Sequence, residues 1–412
     1  MKKTQSIGII AEYNPFHNGH AHHLAETRKS VGDLPVIAVM SGNFVQRGLP
    51  ALTDKWSRAT MAVKNGVDLV LELPTIFACR SAEHFARGGI SLLKATGCVS
   101  YLSFGCETNN LQLLEQAAQF ACRNNSDCQA ELAKGLSYAA AIGAAMAKEN
   151  PSLAVIVEQP NNILAIEYLK HIELLKAGFT PIPVNRMFSM YNDKKISGSI
   201  ASATAIRSEF LSHGLNSNIA QAVPAPTLKI LEDLSEKTRL GFNQTNLDLL
   251  LIFLLRQISS ADIAERCECS EGLENKIFKA AAASDWFQAV SMIKSKRYPE
   301  TRINRLLLQL LLSSSGTTGT NFKEAISEHP SYLRVLAFNN RGRKLLKNMR
   351  NTCELPIVNK LGRDILHEGA ASKNFVSSLK IDISATELFS LLQNNSLPYA
   401  ADFKTSPIYL PE

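Results

Sequence analysis

The stretch Gly8-Ile9-Ile10-Ala11-Glu12-Tyr13-Asn14-Pro15-Phe16-His17-Asn18-Gly19-His20 decides how this chain is read. Apolar Ile7, Ile9 and Ile10 suit a strand of a parallel sheet, buried on both faces. Asn14-Pro15 marks a break, and Gly19 lets the backbone come close to whatever the loop holds. A His-X-Gly-His box then opens a helix, with His17 and His20 on one face. The start of a helix carries unpaired N–H groups and the positive end of the dipole. Joined to two imidazole donors, it predicts a phosphate site. Such a site suits attack on an α-phosphate, with His stabilising the charge that grows in the transition state. A zinc reading of the pair lacks further ligands at metal spacing. His22 and His23, beyond the box, read as solvated or packed.

Working outward, residues 5–207 alternate buried strands with helical stretches. The strands are expected at Ile7–Ala11, Val36–Met40, Leu69–Leu73, Tyr101–Phe104 and Thr180–Val184. Helices are expected at Ala21–Ser30, Lys55–Asn65, Ser81–Ala95, Leu111–Cys122 and Ile163–Ala177. Strands in chain order joined by helices imply right-handed crossovers and an α/β fold with a doubly wound parallel sheet. Ligands on such sheets sit at the carboxyl ends of the strands, where the His box falls.

After about residue 215 the strand signal fades. Amphipathic helices are expected at Leu228–Thr238, Asn246–Gln257, Ser260–Arg266, Leu273–Ala283, Trp286–Met292 and Pro299–Leu311. The pattern predicts two units, 1–215 and a mainly helical 216–412, the helices beginning near Val223-Pro224-Ala225-Pro226. Ser313–Thr320 reads as a loop, and the tail from Tyr332 mixes short strands and helices.

With 412 residues, 45% hydrophobic and 20% charged, the composition is that of a globular protein with a large core. The apolar runs Leu249–Leu255 and Leu306–Leu312 are too short to span a membrane. Glu12 and His17 interrupt any signal-peptide core, and eight scattered cysteines fit reduced thiols, so a cytoplasmic protein is expected. Net charge is +7, and its distribution says more than its size. Lys294, Lys296, Arg297, Arg302 and Arg305 form one cluster; Arg341, Arg343, Lys344, Lys347 and Arg350 form a second. Clustered cations can follow a phosphate backbone.

Ser202-Ala203-Thr204-Ala205-Ile206-Arg207 reads as a second phosphate-binding helix start, with hydroxyls from Ser202 and Thr204 and a bidentate clamp from Arg207. Together with the His box it resembles the nucleotidylyltransferase superfamily, whose late segment reads Ile-Ser-Ser-Thr-X-Ile-Arg; here Ala201 and Ala203 depart from it. Further segments sharpen the likeness: Val39–Gly48, Lys55–Arg58, Asp68–Pro74, Ser103–Glu107, Asn161–Leu169 and Ile200–Arg207. These resemble the bacterial tRNA(Met) cytidine acetate ligase family, most closely over the first 207 residues.

That resemblance implies an ATP-dependent ligase. ATP activates acetate as acetyl-adenylate, and the acetyl group passes to the exocyclic amine of the wobble cytidine of elongator tRNA(Met). It implies an ATP site from Ile7 to His20 with Gly105, Asn161, Asn162, Arg186, Ser202, Thr204 and Arg207, in which His17 and His20 are catalytic. Mg²⁺ would accompany the nucleotide on its phosphates, without a protein cage of its own. The helical unit would bind tRNA through Lys294, Lys296, Arg297, Arg341, Arg343, Lys344 and Lys347. Lys55 or Arg58 is expected to face the site, and Trp56 to lie in the core. The competing readings are a nucleotidylyltransferase acting on a small phosphorylated metabolite, and a nucleotide- or RNA-binding protein without catalysis. A basic helical half favours the ligase over the former, and the intact His pair favours an enzyme over the latter.

Overall fold

The computed structural model describes residues 5–108, 110–123, 126–136, 138–186, 196, 198–313, 320–362 and 372–411. Five parallel strands form its centre: β1 (Ser6–Ala11), β2 (Val36–Ser41), β3 (Leu69–Leu73), β4 (Val99–Cys106) and β5 (Thr180–Asn185). Their spatial order is β3-β2-β1-β4-β5, so the order reverses between β1 and β4. A crevice opens at such a switch point, outside the carboxyl ends of the strands. β2 and β3 are buried along their whole length, as apolar runs covered on both faces must be.

The two helices nearest the crevice are α1 (Asn18–Val31), which carries the His box, and α2 (Lys55–Lys64). The helix Ala82–Ala95 lies on the opposite face of the sheet from α1. There a Cβ on Gly8 would meet Leu93 at 2.7 Å, and one on Gly89 would meet Ile10 at 2.5 Å. Gly8 and Gly89 are therefore positions where helix and strand approach too closely for a side chain. The helix Pro160–Leu174 covers the same face through Tyr168, whose ring centroid is 6.0 Å from that of Phe104.

The helices expected after residue 215 form close to their expected ends, among them Gln244–Leu255, Ser260–Arg266 and Glu300–Leu312. The sheet, however, does not end with the first 215 residues. β6 (Leu333–Phe338) pairs antiparallel with β3, and β7 (Ile357–Val358) and β8 (Ile408–Tyr409) pair with β6. One main hydrophobic core runs from Ile7 and Val39 in the sheet to Leu251 and Leu307 in the helices. The tail thus completes the sheet edge and brings two long helices with it, Asn340–Thr352 and Lys373–Leu392.

A buried ionic network fastens this return. Lys55 Nζ lies 2.8 Å from Glu72 and 2.9 Å from Asp402, and Arg334 Nη2 lies 2.8 Å from Asp402. Asp382 accepts from the Thr75 backbone N–H at 2.7 Å and from the Tyr332 hydroxyl. Lys55 therefore belongs to the core and not to the crevice. Arg58 is likewise fully buried and donates to the carbonyls of Glu12 (2.7 Å), Ser41 (3.2 Å), Thr53 (3.1 Å) and Gly42. Burial pulls its guanidinium down to about 10, which leaves it charged at neutral pH. The expectation that one of these two faces the site is corrected: both lie behind it, because their buried charges need protein partners. Trp56 lies in the core as expected.

Candidate active site

The crevice at the switch point is lined by Ile9–Asn14, His17, Gly19, His20, Gly105, Asn161, Arg186, Ser202, Thr204 and Arg207. These come from the end of β1, the start of α1, the ends of β4 and β5, and the starts of the helices Pro160–Leu174 and Ala203–His213. Five separate segments of chain expected to meet do meet.

The start of α1 is closed by its own histidines. His17 is the N-cap, and its Nδ1 accepts from the Gly19 N–H at 3.0 Å. His20 Nδ1 accepts from the His17 N–H at 3.2 Å, completing a reciprocal cap. The rings stack with centroids 3.8 Å apart. Two of the N–H groups expected to be free for phosphate are therefore taken by imidazole nitrogens, which corrects the simple helix-start picture. The same bonds fix the chemistry of the rings. Burial holds His17 down to about 3, helped by the charges of Arg186 and Arg207, and holds His20 well below its ordinary value, helped by His17. Both are neutral near pH 7. With each Nδ1 accepting, each neutral ring carries its proton on Nε2 and presents that N–H as a donor.

The cations are positioned by neighbouring polar groups. Arg186 follows β5, and its Nη1 donates to Asn161 Oδ1 at 3.3 Å. Arg207 donates to the Asn14 carbonyl at 2.7 Å and to Thr204 Oγ1 at 3.3 Å. Ser202 caps its helix by accepting from the Ala205 N–H at 3.0 Å. Tyr13 adopts φ 45°, a left-handed conformation that costs a bulky residue free energy and is held by the packing around it.

Other expected residues fall behind the surface of the crevice. Ile7 and Phe16 are fully buried, Gly8 packs on Leu93, and Pro15 lies in the turn. Asn18 ties α1 to the segment before the second helix start, donating to the Ser199 carbonyl at 2.7 Å and the Gln221 carbonyl at 2.8 Å. Asn162 is buried and accepts from the Glu107 and Thr108 N–H groups. Glu107 in turn caps the helix Pro160–Leu174 through the Asn162 N–H at 2.9 Å, an anion where the dipole favours one.

The structure adds lining residues that the sequence did not single out, Gln46, Arg47, Phe85, Phe104, Leu164 and Tyr168, and places on the lining His22 and His23, which the sequence read as solvated or packed. His23 Nε2 lies 2.8 Å from Ser103 Oγ, and burial holds its ring down to about 4. Gln46 and Arg47 belong to the loop after β2. Gln46 donates to Glu12 Oε1 at 2.9 Å through its backbone and to the Arg80 carbonyl at 3.1 Å through its side chain.

The two basic clusters lie at different places. Arg305 donates to the Gln46 carbonyl at 3.4 Å, so the first cluster adjoins the loop that rims the crevice. Within it Lys294 pairs with Glu300, Arg297 with Glu271, and Arg302 lies over the Tyr298 ring, while Lys296 is exposed. The helix bearing the second cluster starts beside Asp68, before β3, and ends where Thr352 meets the Thr96 carbonyl, before β4. It therefore crosses the amino ends of the parallel strands, opposite the crevice. Arg343, Lys344 and Lys347 are exposed there, and Arg341 pairs with Asp33 at 2.9 Å.

Among the described residues no group of three or more His, Cys, Asp or Glu could hold a metal ion, and no helix is long and apolar enough to cross a membrane.

A parallel sheet of order 3-2-1-4-5, with paired histidines and two arginines at its switch point, defines a nucleotide-binding α/β transferase. The HIGH Nucleotidyl Transferase family matches residues 4–402. A tRNA(Met) cytidine acetate ligase of Clostridium novyi (strain NT) is 38% identical, covering 98% of this chain and 99% of that protein. One of Alkaliphilus metalliredigens (strain QYMF) is 36% identical over the same shares. The crystal structure of apo Thermotoga maritima TmcAL superposes with a TM-score of 0.90 at 31% identity, covering 99% of this chain and 100% of that one. TmcAL bound with alpha-thio ATP gives 0.87 at 30% identity and the same coverage. The chain belongs to the HIGH nucleotidyl transferase family and, within it, to the tRNA(Met) cytidine acetate ligases.

Proposed function

We propose that the protein is an ATP-dependent ligase that activates acetate as acetyl-adenylate and acetylates the exocyclic amine of the wobble cytidine of elongator tRNA(Met), giving N4-acetylcytidine. The observation that carries this reading is the likeness to relatives of that name over 98% of the chain, supported by the crevice where His17, His20, Arg186 and Arg207 converge. ATP enters with its phosphates against the His pair and the two arginines. An acetate oxygen attacks the α-phosphorus, the bond to the β-phosphate breaks, and pyrophosphate leaves. The neutral imidazoles donate from Nε2 to oxygens whose charge grows, at no cost in proton transfer. The arginines hold the departing pyrophosphate through planar, bidentate contacts. Mg²⁺ would supply charge neutralisation here, and would be held by the nucleotide and not by a protein cage.

Of the cations expected to bind tRNA, the first cluster extends outward from the Gln46–Arg47 rim, so we assign to it the RNA backbone next to the reacting base. The second cluster can meet only more distant parts of so large a partner. The reading is tested by incubating the protein with labelled acetate, ATP and purified tRNA(Met). Label should enter the tRNA with equimolar AMP and pyrophosphate. ADP in place of AMP, or labelling without ATP, would refute it.

A further inference from the structure

The crevice straddles the sheet and has two chemically different sides. Side chains alternate across a strand, so Gly8 and Ile10 face the helix Ala82–Ala95, away from α1, and Glu12, just past the end of the strand, reaches the Gln46 N–H on the loop after β2. Ser103, on the other face, meets Thr27 and His23 of α1. The α1 side is polar and cationic, with His17, His20, Arg186 and Arg207. The opposite side is apolar and aromatic, with Phe85, Phe104, Leu164 and Tyr168, and carries the Glu12 carboxylate beside Gln46, with Arg47 next to it on the loop after β2. Two arginines and two imidazole donors make the first side the better seat for a triphosphate.

We propose that the part of the crevice bounded by Glu12, Gln46, Phe85, Phe104, Leu164 and Tyr168 seats the acceptor cytosine, whose exocyclic amine donates to the Glu12 carboxylate. This rests on the ligase reading and adds the place and chemistry of the second substrate. A neutral, flat base fits an aromatic-lined recess, and a carboxylate is the side chain that matches the amino group of cytosine and rejects the carbonyl of uracil. Glu12 is held for this role. Its carbonyl accepts from buried Arg58 at 2.7 Å, and Oε1 accepts from the Gln46 N–H at 2.9 Å. Among the described residues Oε2 accepts from no protein donor. The Tyr168 hydroxyl is raised above its ordinary value by burial first and by the Glu12 charge second, which places the two groups within electrostatic reach. In the transfer step the cytosine nitrogen attacks the acetyl carbon of acetyl-adenylate. The carbon–oxygen bond to the phosphate breaks, AMP leaves, and Glu12 takes the proton that the nitrogen sheds.

The test is Glu12→Gln, whose amide oxygen still accepts from the Gln46 N–H but cannot take a proton. Acetate-dependent ATP–pyrophosphate exchange reports adenylate formation, and labelled acetate in tRNA reports transfer. Transfer should fall at least about 100-fold further than exchange, the scale of a general base. Equal losses in both, or no loss in transfer, would overturn the proposal. Wild-type protein that shows no acetate-dependent exchange would instead refute the ligase reading. A second measurement needs no variant: an anticodon stem-loop carrying a pyrimidinone nucleoside, which lacks the amine, at the target position. Wild-type protein should bind it about tenfold or more weakly than the cytidine stem-loop, as for loss of a hydrogen bond to a charged group. Equal affinity would also overturn the proposal.

Discussion

His17 and His20 each use one nitrogen on the backbone and keep the other for chemistry, so their positions and their tautomers come from the same bonds. Replacing His20 by Ala should lower acetate-dependent ATP–pyrophosphate exchange by about two to three orders of magnitude, the scale of one transition-state donor. Thermal unfolding of the variant should stay cooperative; full exchange activity would remove His20 from the reaction. Arg207→Lys should already be damaging, because a point charge cannot hold both the Asn14 carbonyl and phosphate oxygens in one plane. Unchanged nucleotide affinity in a titration would make Arg207 a structural residue. Arg186 was reached through the family resemblance, whereas the His box and Arg207 were legible in the sequence because each stands at the start of a helix. Gln46, Phe85 and Tyr168 were not, because they meet only when the loop after β2 and two helices converge on one side of the sheet.

At the scale of an element, the start of α1 makes stability depend on pH. Unfolded, these histidines titrate near 6.5; folded, His17 is held down to about 3 and His23 to about 4. Between those limits and 6.5 the unfolded chain binds protons that the folded chain refuses. Stability should therefore fall as pH drops through 6.5, with the loss levelling off near 3. Urea unfolding at pH 7 and pH 5 measures this, and His23→Gln should flatten the difference. The loop after β2 makes a second prediction. Gly48 has φ 75°, and a Cβ there would lie 2.5 Å from the Arg305 backbone nitrogen. Gly48→Ala should cost more than about 1 kcal/mol and lift the loop from the helix Glu300–Leu312. An unchanged urea midpoint would contradict that docking. Strands β1 to β5 were readable as apolar runs between turn signals. β6 was harder, because its partner β3 lies some 260 residues earlier in the chain and Arg334 interrupts its apolar run. In hindsight Arg334 and Glu72 are each a charge inside a buried strand, and such charges require each other.

On the scale of the whole molecule, the Lys55–Glu72–Arg334–Asp402 network joins α2, β3 and the returning tail behind the crevice. Removing one charge from a buried set leaves the others uncompensated, so Lys55→Met should cost about 3–5 kcal/mol in urea unfolding. A loss below about 1 kcal/mol would show that the tail is held by apolar packing alone. The site lies at the carboxyl ends of the strands and the second basic cluster across their amino ends. Charge reversal at Arg297 and Lys296 should therefore impair tRNA acetylation more than reversal at Arg343 and Lys347. The central claim is that this crevice joins acetate to AMP before any RNA is involved. The most direct measurement is exchange of labelled pyrophosphate into ATP, by the purified protein, with and without acetate and in the absence of tRNA. Exchange should require acetate. Exchange indifferent to acetate, or driven by a phosphorylated metabolite in its place, would contradict it.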